Sequence, residues 1–175
     1  MNKGLKSCTS QLQYNVGNAF TTYINLNKED ANFHIVIPLI ITNGESQINT
    51  KLIFNQQDDN LCTMFNYGFK LNYYSKLTEY ENMITIKNSD GSVDEYYQEE
   101  VEELFYNRIL RTKIKRNFSN QYKYQLLDKV GNAYFYIDQD EYPRLIKYYS
   151  GEEYNILYNE NGHLIISNNK DDKVI

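Results

Sequence analysis

Glycine-bearing turn dipeptides set between short apolar runs constrain this chain more than any other feature. Asn43-Gly44 separates Phe33-His34-Ile35-Val36-Ile37-Pro38-Leu39-Ile40-Ile41 from Gln47-Ile48-Asn49-Thr50-Lys51-Leu52-Ile53-Phe54. Both flanks are rich in β-branched or aromatic residues. Asn-Gly accepts positive φ at both central positions, as a type I′ hairpin turn requires. Asp90-Gly91 stands likewise between residues 83–87 and 92–97, Gly131-Asn132 between 122–127 and 133–137, and Ser150-Gly151 between 145–149 and 154–158. Asn161-Gly162 leads into His163-Leu164-Ile165-Ile166-Ser167. Strand pairs at a spacing of roughly 10 residues read as an antiparallel meander. The helical periods that an α/β chain would place between its strands are mostly missing. The predicted fold class is therefore all-β, an antiparallel β-hairpin meander with one short helix near residues 98–110.

That helix rests on Val101, Leu104, Phe105 and Ile109, which fall at i, i+3, i+4 and i+8 and share one helical face. Acidic residues precede it and Arg108 and Arg111 follow, which suits the helix dipole. The expected organisation is an N-terminal β region over residues 1–97, a helix and basic linker over 98–118, and hairpin repeats over 119–175, all within one continuous β structure.

The charges around the linker are segregated. Residues 94–103 carry six acids and no base, whereas 108–124 carry Arg108, Arg111, Lys113, Lys115, Arg116 and Lys123 and no acid. Basic residues interleaved with Phe118, Tyr122 and Tyr124 are a pattern that single-stranded nucleic acid uses. The formal net charge of −5 repels a polyanion at long range. The plainer reading is a solvated strand face set against the acidic run, with no nucleic-acid partner.

Composition excludes further classes. At 175 residues one domain is the default, and 15% aromatic residues argue against disorder. No stretch approaches the roughly 20 apolar residues of a membrane span; Ile35 to Ile41 is interrupted by Pro38. Met1 to Ser7 is followed by no apolar core, so no signal peptide is visible. Cys8 and Cys62 are too few for a disulfide scaffold or a structural zinc site, and a single bridge between them stays open. His34 and His163 lie among apolar residues with no ligand-spaced partner, and read as strand residues. There is no G-x-S-x-G, no Gly-rich phosphate loop and no H-E-x-x-H. Asp138, Asp140, Glu141, Glu152 and Glu153 have the chemistry of glycoside-cleaving carboxylates, but they lie at turns, where such residues serve local bonding. The expectation is no catalytic residue, no cofactor, no metal and no enzyme.

Adjacent tyrosines supply the ligand hypothesis. Tyr73-Tyr74, Tyr96-Tyr97 and Tyr148-Tyr149 would each turn one ring to either face of a strand. Tyr73, Tyr96 and Tyr148 are then candidates for an exposed row that stacks on sugar rings or meets a partner. The alternative function is accordingly a carbohydrate-binding β-module. The plainer reading alternates these rings between the core and a wet face.

The C-terminal half is internally similar. Gly131-Asn132-Ala133-Tyr134-Phe135-Tyr136-Ile137-Asp138, with Tyr142-Pro143-Arg144-Leu145-Ile146, is echoed by Gly151-Glu152-Glu153-Tyr154-Asn155-Ile156-Leu157-Tyr158 and Asn161-Gly162-His163-Leu164-Ile165. The period is about 20 residues, as in structures built by stacking hairpins. These residues resemble the RHS or YD-repeat proteins, whose motif is Tyr-Asp-x-x-Gly-x-Leu. Tyr158-Asn159-Glu160-Asn161-Gly162-His163-Leu164 fits it with Asn for Asp, and Tyr136, Asp138 and the residues to Leu145 fit it loosely. Ahead of them Gly17-Asn18, Leu52-Ile53-Phe54-Asn55, Gly68-Phe69-Lys70-Leu71-Asn72-Tyr73 and Asp90-Gly91-Ser92 stand in the order such proteins show. The family often has Trp in the third of these, and this chain has none.

The resemblance implies a hairpin array that coils into a β-shell for encapsulation, display or surface interaction of a secreted or toxin-type protein. It implies a secreted or cell-surface setting, although a cytoplasmic one fits the absence of a visible signal peptide. Tyr136, Asp138, Tyr158, Asn159, Gly162 and Leu164 would be its structural repeat residues. About two repeats are too few to close a shell, so open strand edges are expected to pair with a protein partner or a second copy.

Overall fold

The computed structural model describes residues 10–16, 20–27, 32–43, 46–56, 69–158 and 164–168. The chain divides into two compact units, Met1–Tyr74 with Asn88–Val93, and Ser75–Lys87 with Asp94–Ile175.

The first unit holds a sheet of β1 (Ser10–Val16), β2 (Phe20–Asn27), β3 (Asn32–Asn43), β4 (Ser46–Asn55) and β5 (Phe69–Leu71), in that order. The strands flanking Asn43-Gly44 pair as the turn chemistry predicts, with Asn43 opposite Ser46; Gly44 itself lies outside the described residues. Two of the motifs that carry the family resemblance are hydrogen-bonded neighbours, since Leu52 faces Leu71 and Phe54 faces Phe69. The two Phe rings lie 4.9 Å apart. Asn72 accepts from the Lys51 amide at 2.8 Å through its side chain and donates its own amide to the Lys51 carbonyl at 2.9 Å. Lys70 is fully buried, with its ammonium 4.3 Å from the centre of the Tyr74 ring.

The second sheet runs without a crossover through β6 (Ser75–Glu79), β7 (Met83–Asn88), β8 (Val93–Gln98), β9 (Leu104–Asn107), β10 (Thr112–Arg116), β11 (Tyr124–Leu127), β12 (Ala133–Tyr136), β13 (Leu145–Lys147), β14 (Glu153–Tyr158) and β15 (Leu164–Asn168). From β8 to β15 each strand pairs antiparallel with the next. The all-β meander is thus observed.

The helix expected near residues 98–110 is absent. Gln98 ends β8, Leu104–Asn107 is a strand, and Gln98 faces Phe105 across the sheet. Packing explains the difference. A helix would need Val101, Leu104, Phe105 and Ile109 on one buried face. Only Phe105 enters the core; Val101 is 63% exposed and Ile109 is 91% exposed. Glu99, Glu100, Glu102 and Glu103 lie in the turn after β8, where the Leu104 amide donates to the Val101 carbonyl. Strand pairing and burial therefore override the 3.6-residue pattern.

Each of β6 to β12 sends side chains into one core. Leu77, Ile84, Ile86, Tyr96, Phe105, Ile114, Tyr124 and Tyr136 form a single buried cluster. The free edge of β6 returns to the segment after β12. The Ser75 amide donates to the Glu141 carbonyl at 2.9 Å, and the Leu77 amide donates to the Asp140 carbonyl at 3.2 Å. The seven strands therefore curl until the first meets the last, and the enclosed face is filled by side chains. On the opposite face Ala133, Phe135 and Leu145 form a smaller cluster, covered by Phe118, Tyr122 and Leu127.

The 20-residue period is written in the backbone. Gly91, Arg111, Gly131 and Gly151 all have positive φ, at 81°, 57°, 100° and 93°. Three of these turns share one hydrogen-bond scheme, in which the Gly amide donates to a carbonyl three residues back, Asn88, Asp128 or Tyr148. The first residue's amide then donates to the carbonyl of Ser92, Asn132 or Glu152. This is a tight hairpin turn with its last residue in the left-handed region, where Gly carries no steric cost. The β9–β10 hairpin differs by one residue in register, with Thr112 opposite Asn107, and there Arg111 occupies that conformation.

Candidate functional site

The expected row of Tyr73, Tyr96 and Tyr148 does not form on the surface. Tyr73 and Tyr96 are buried, at 9% and 2% exposed, and Tyr148 is half-buried. Tyr73 lies within the first unit, its hydroxyl 3.5 Å from Thr50 Oγ1. Tyr96 accepts from the Thr112 hydroxyl at 3.1 Å inside the second-unit core. Tyr148 packs edge-on against Tyr154 at 5.8 Å. The physical reason is strand parity. Tyr96 shares the inward face of its sheet, so its neighbour Tyr97 is turned out and donates to Glu95 Oε2 at 2.5 Å. Tyr149, 80% exposed, lies over the Gly131 turn.

The repeat residues have structural surroundings where they are described. Tyr136 is fully buried and its hydroxyl lies 2.7 Å from Ser75 Oγ, tying β12 to β6. Asp138 is exposed on the bend after β12 and pairs with Lys123 at 3.4 Å. Tyr158 and Leu164 face each other across β14 and β15. Asn159 and Gly162 lie outside the described residues, as do Cys8, Cys62 and His163. His34 lies in β3 opposite Asn25 and Asn55.

Sequence reasoning missed a polar cluster centred on Glu79 at the end of β6. Its Oε1 accepts from Arg116 Nη1 at 2.8 Å, and its Oε2 accepts from the Tyr124 hydroxyl at 2.5 Å. Lys123 Nζ stands 3.4 Å from Oε2. Arg116 also donates to the Glu102 carbonyl at 3.2 Å and lies over the Phe105 ring. Burial pushes the Glu79 carboxyl upward, but the bonds from Tyr124, Arg116 and Lys123 outweigh it and hold the carboxyl below its ordinary value. Both oxygens are occupied by side chains of β10, β11 and the loop between them. The chemistry of this arrangement is a lock on one end of the curled sheet. No local motif announces it, because its members come from residues 79, 116, 123 and 124.

Part of the linker charge is matched locally. Arg108 pairs with Glu99 at 3.5 Å, and Asn117 donates to Glu103 at 2.9 Å. The turn carboxylates also bond locally. Asp128 Oδ1 accepts the amides of Val130, Gly131 and Asn132, each at 2.9 Å. Asp140 pairs with Arg144 at 3.2 Å, Glu141 with Lys76 at 3.5 Å and Glu153 with Lys147 at 2.7 Å.

Among the described residues no group of three His, Cys, Asp or Glu side chains stands together in a way that would hold a metal ion. Among the same residues no helix is long and apolar enough to cross a membrane. No protein-family model matches this chain, and no curated protein matches it in sequence.

Proposed function

We propose that this chain is a non-enzymatic β-scaffold of the RHS or YD-repeat kind, serving encapsulation, display or surface interaction of a secreted or toxin-type protein. The observation that carries the reading is the unbroken strand order of the second sheet, with left-handed turn residues at 91, 111, 131 and 151. A hairpin array of this sort grows by adding strands to an edge, and it can bind by the same route. β15 ends the sheet. Its residues Leu164-Ile165-Ile166-Ser167-Asn168 include no Lys, Arg, Glu, Asp or Pro, the residues that usually blunt an edge. The scaffold therefore engages a second copy or another β-protein by strand addition.

Size-exclusion chromatography with light scattering, paired with amide hydrogen exchange, tests this. The expected result is a mass that rises with concentration, with slowed exchange across 164–168 in the larger species. A strict monomer at high concentration whose β15 amides keep the same exchange rate would sink the edge reading.

A further inference from the structure

The loop between β10 and β11 borders an open groove of about 510 Å³, lined by Asn117, Phe118, Ser119, Asn120, Gln121, Lys123 and Ile137. That volume falls within the roughly 300–1,000 Å³ of small-molecule sites. The groove is distinct from the tyrosine pairs and from the edge of β15.

The loop is held firmly for a surface segment. The Phe118 amide donates to the Lys123 carbonyl at 3.2 Å, and the Ser119 amide donates to the Tyr122 carbonyl at 3.0 Å. Ser119 Oγ accepts the Tyr122 amide at 3.0 Å. Phe118 and Tyr122 both pack on Phe135, with ring centres 5.4 Å and 5.3 Å away. Between these two anchors Asn120 and Gln121 stand exposed, and their carboxamides bond to no described residue. The backbone of the turn is fixed, so a ligand has only the two carboxamide side chains to order on binding.

The lining chemistry names the ligand class. Each carboxamide offers a donor and an acceptor side by side, the pattern that neighbouring hydroxyls on a sugar ring complement. Ile137, 52% exposed, and Phe118 offer an apolar surface to the C–H face of such a ring. Charge does not dominate the groove, because Lys123 is matched by Glu79 and Asp138, each at 3.4 Å. The geometry points to a binding site for a short neutral oligosaccharide in this groove, with Asn120 and Gln121 as the recognising side chains.

Maltotriose, cellotriose and chitotriose, each titrated into the full chain and followed by amide NMR shifts, test the assignment. At least one sugar is expected to give saturable shifts at residues 117–123 and 137. The double variant Asn120→Ala with Gln121→Ala should weaken it by about tenfold or more with an unchanged unfolding midpoint. Lys115→Ala, whose ammonium lies 5.9 Å from the Phe118 ring, should leave the affinity unchanged. Absence of saturable shifts with all three sugars overturns the proposal. So do shifts confined to other residues, or full affinity in the double variant. Trigalacturonate, titrated alongside, should bind no more tightly than the neutral sugars; binding to it alone, lost in Lys123→Ala, would overturn the assignment, since the groove would then read charge.

Discussion

The Tyr124 hydroxyl donates to the Glu79 carboxylate across 45 positions of sequence. That bond joins the first strand of the curled sheet to its sixth, and Arg116 joins the fifth to the same carboxylate. The Glu79 side chain is only 19% exposed, so the partners left behind by its removal are poorly rehydrated. Glu79→Gln is expected to destabilise the protein by about 1–3 kcal/mol, since bonds to a charged group are lost. Urea unfolding followed by circular dichroism measures it, and an unchanged midpoint would deny the lock.

The same carboxylate sets an acid limb. Its folded value lies below the ordinary 4.5. A group depressed on folding contributes stability that is complete above its unfolded value and is lost as pH falls through the folded one. The stabilisation from Glu79 is therefore full above pH 4.5 and fades in more acid solution. The gap in stability between wild type and Glu79→Gln should shrink along that limb. A gap that stays constant with pH would place its origin elsewhere.

Buried tyrosines set an alkaline limb. Burial above all pushes Tyr96 up to about 12, against an opposing bond from Thr112. Burial also pushes Tyr124 up to about 12, and its bond to Glu79 adds to the effect. A group raised on folding contributes stability that is complete below its unfolded value and lost as pH rises through the folded one. The expected window runs from pH 10 to about 12. An ultraviolet absorbance titration should show exposed tyrosines ionising first, then a second phase that coincides with loss of circular dichroism. Tyr96→Phe should move that second phase to higher pH. A single phase completed in a folded protein would contradict the burial.

The left-handed turn positions predict opposite signs. Gly151→Ala meets no neighbour within 4 Å but must keep φ at +93°, and is expected to cost about 1–2 kcal/mol. Gly131→Ala is also strained at φ +100°, and its Cβ would lie 3.2 Å from Tyr149 Cδ2, so it should cost more. Adding Tyr149→Ala should remove that excess in a double-mutant cycle. Arg111→Gly relieves a side chain at φ 57° and is expected to stabilise by up to about 1 kcal/mol, less the chain entropy that Gly loses. Thermal unfolding of the variants checks the order.

Phe105 and Val101 separate strand from helix in the linker. Phe105→Ala empties a fully buried position and should cost about 3–5 kcal/mol. Val101→Ala, at a 63% exposed turn, should stay within about 0.5 kcal/mol. Similar losses at both sites would restore the helical face.

The hairpins were legible in the chain itself. Asn-Gly, Asp-Gly, Gly-Asn and Ser-Gly between β-branched runs are local chemistry. Gly91, Gly131 and Gly151 adopt positive φ, but Asp90, Asn132 and Ser150 do not, so each turn has one left-handed residue and not the two of a type I′ turn. The period of about 20 residues was legible for the same reason, although Arg111 hid one of its turns. The region from 98 to 110 was misread because helical spacing and strand pairing compete over a short apolar run. The choice was made by pairing across the neighbouring hairpins, Gln98 against Phe105 and Phe105 against Ile114. Which member of each tyrosine pair faces inward was equally hidden, since parity alone leaves two answers and only the sheet's register selects one. The Glu79 lock, the return of β6 to residues 140 and 141, and the firm loop beside Asn120 and Gln121 belong wholly to the tertiary structure. Each depends on groups that meet only when the meander curls, and no local pattern of side chains encodes that meeting. By itself the sequence determined the strands and their turns, because those arise from backbone preferences within a few residues; the tertiary structure decided which side chains are brought together.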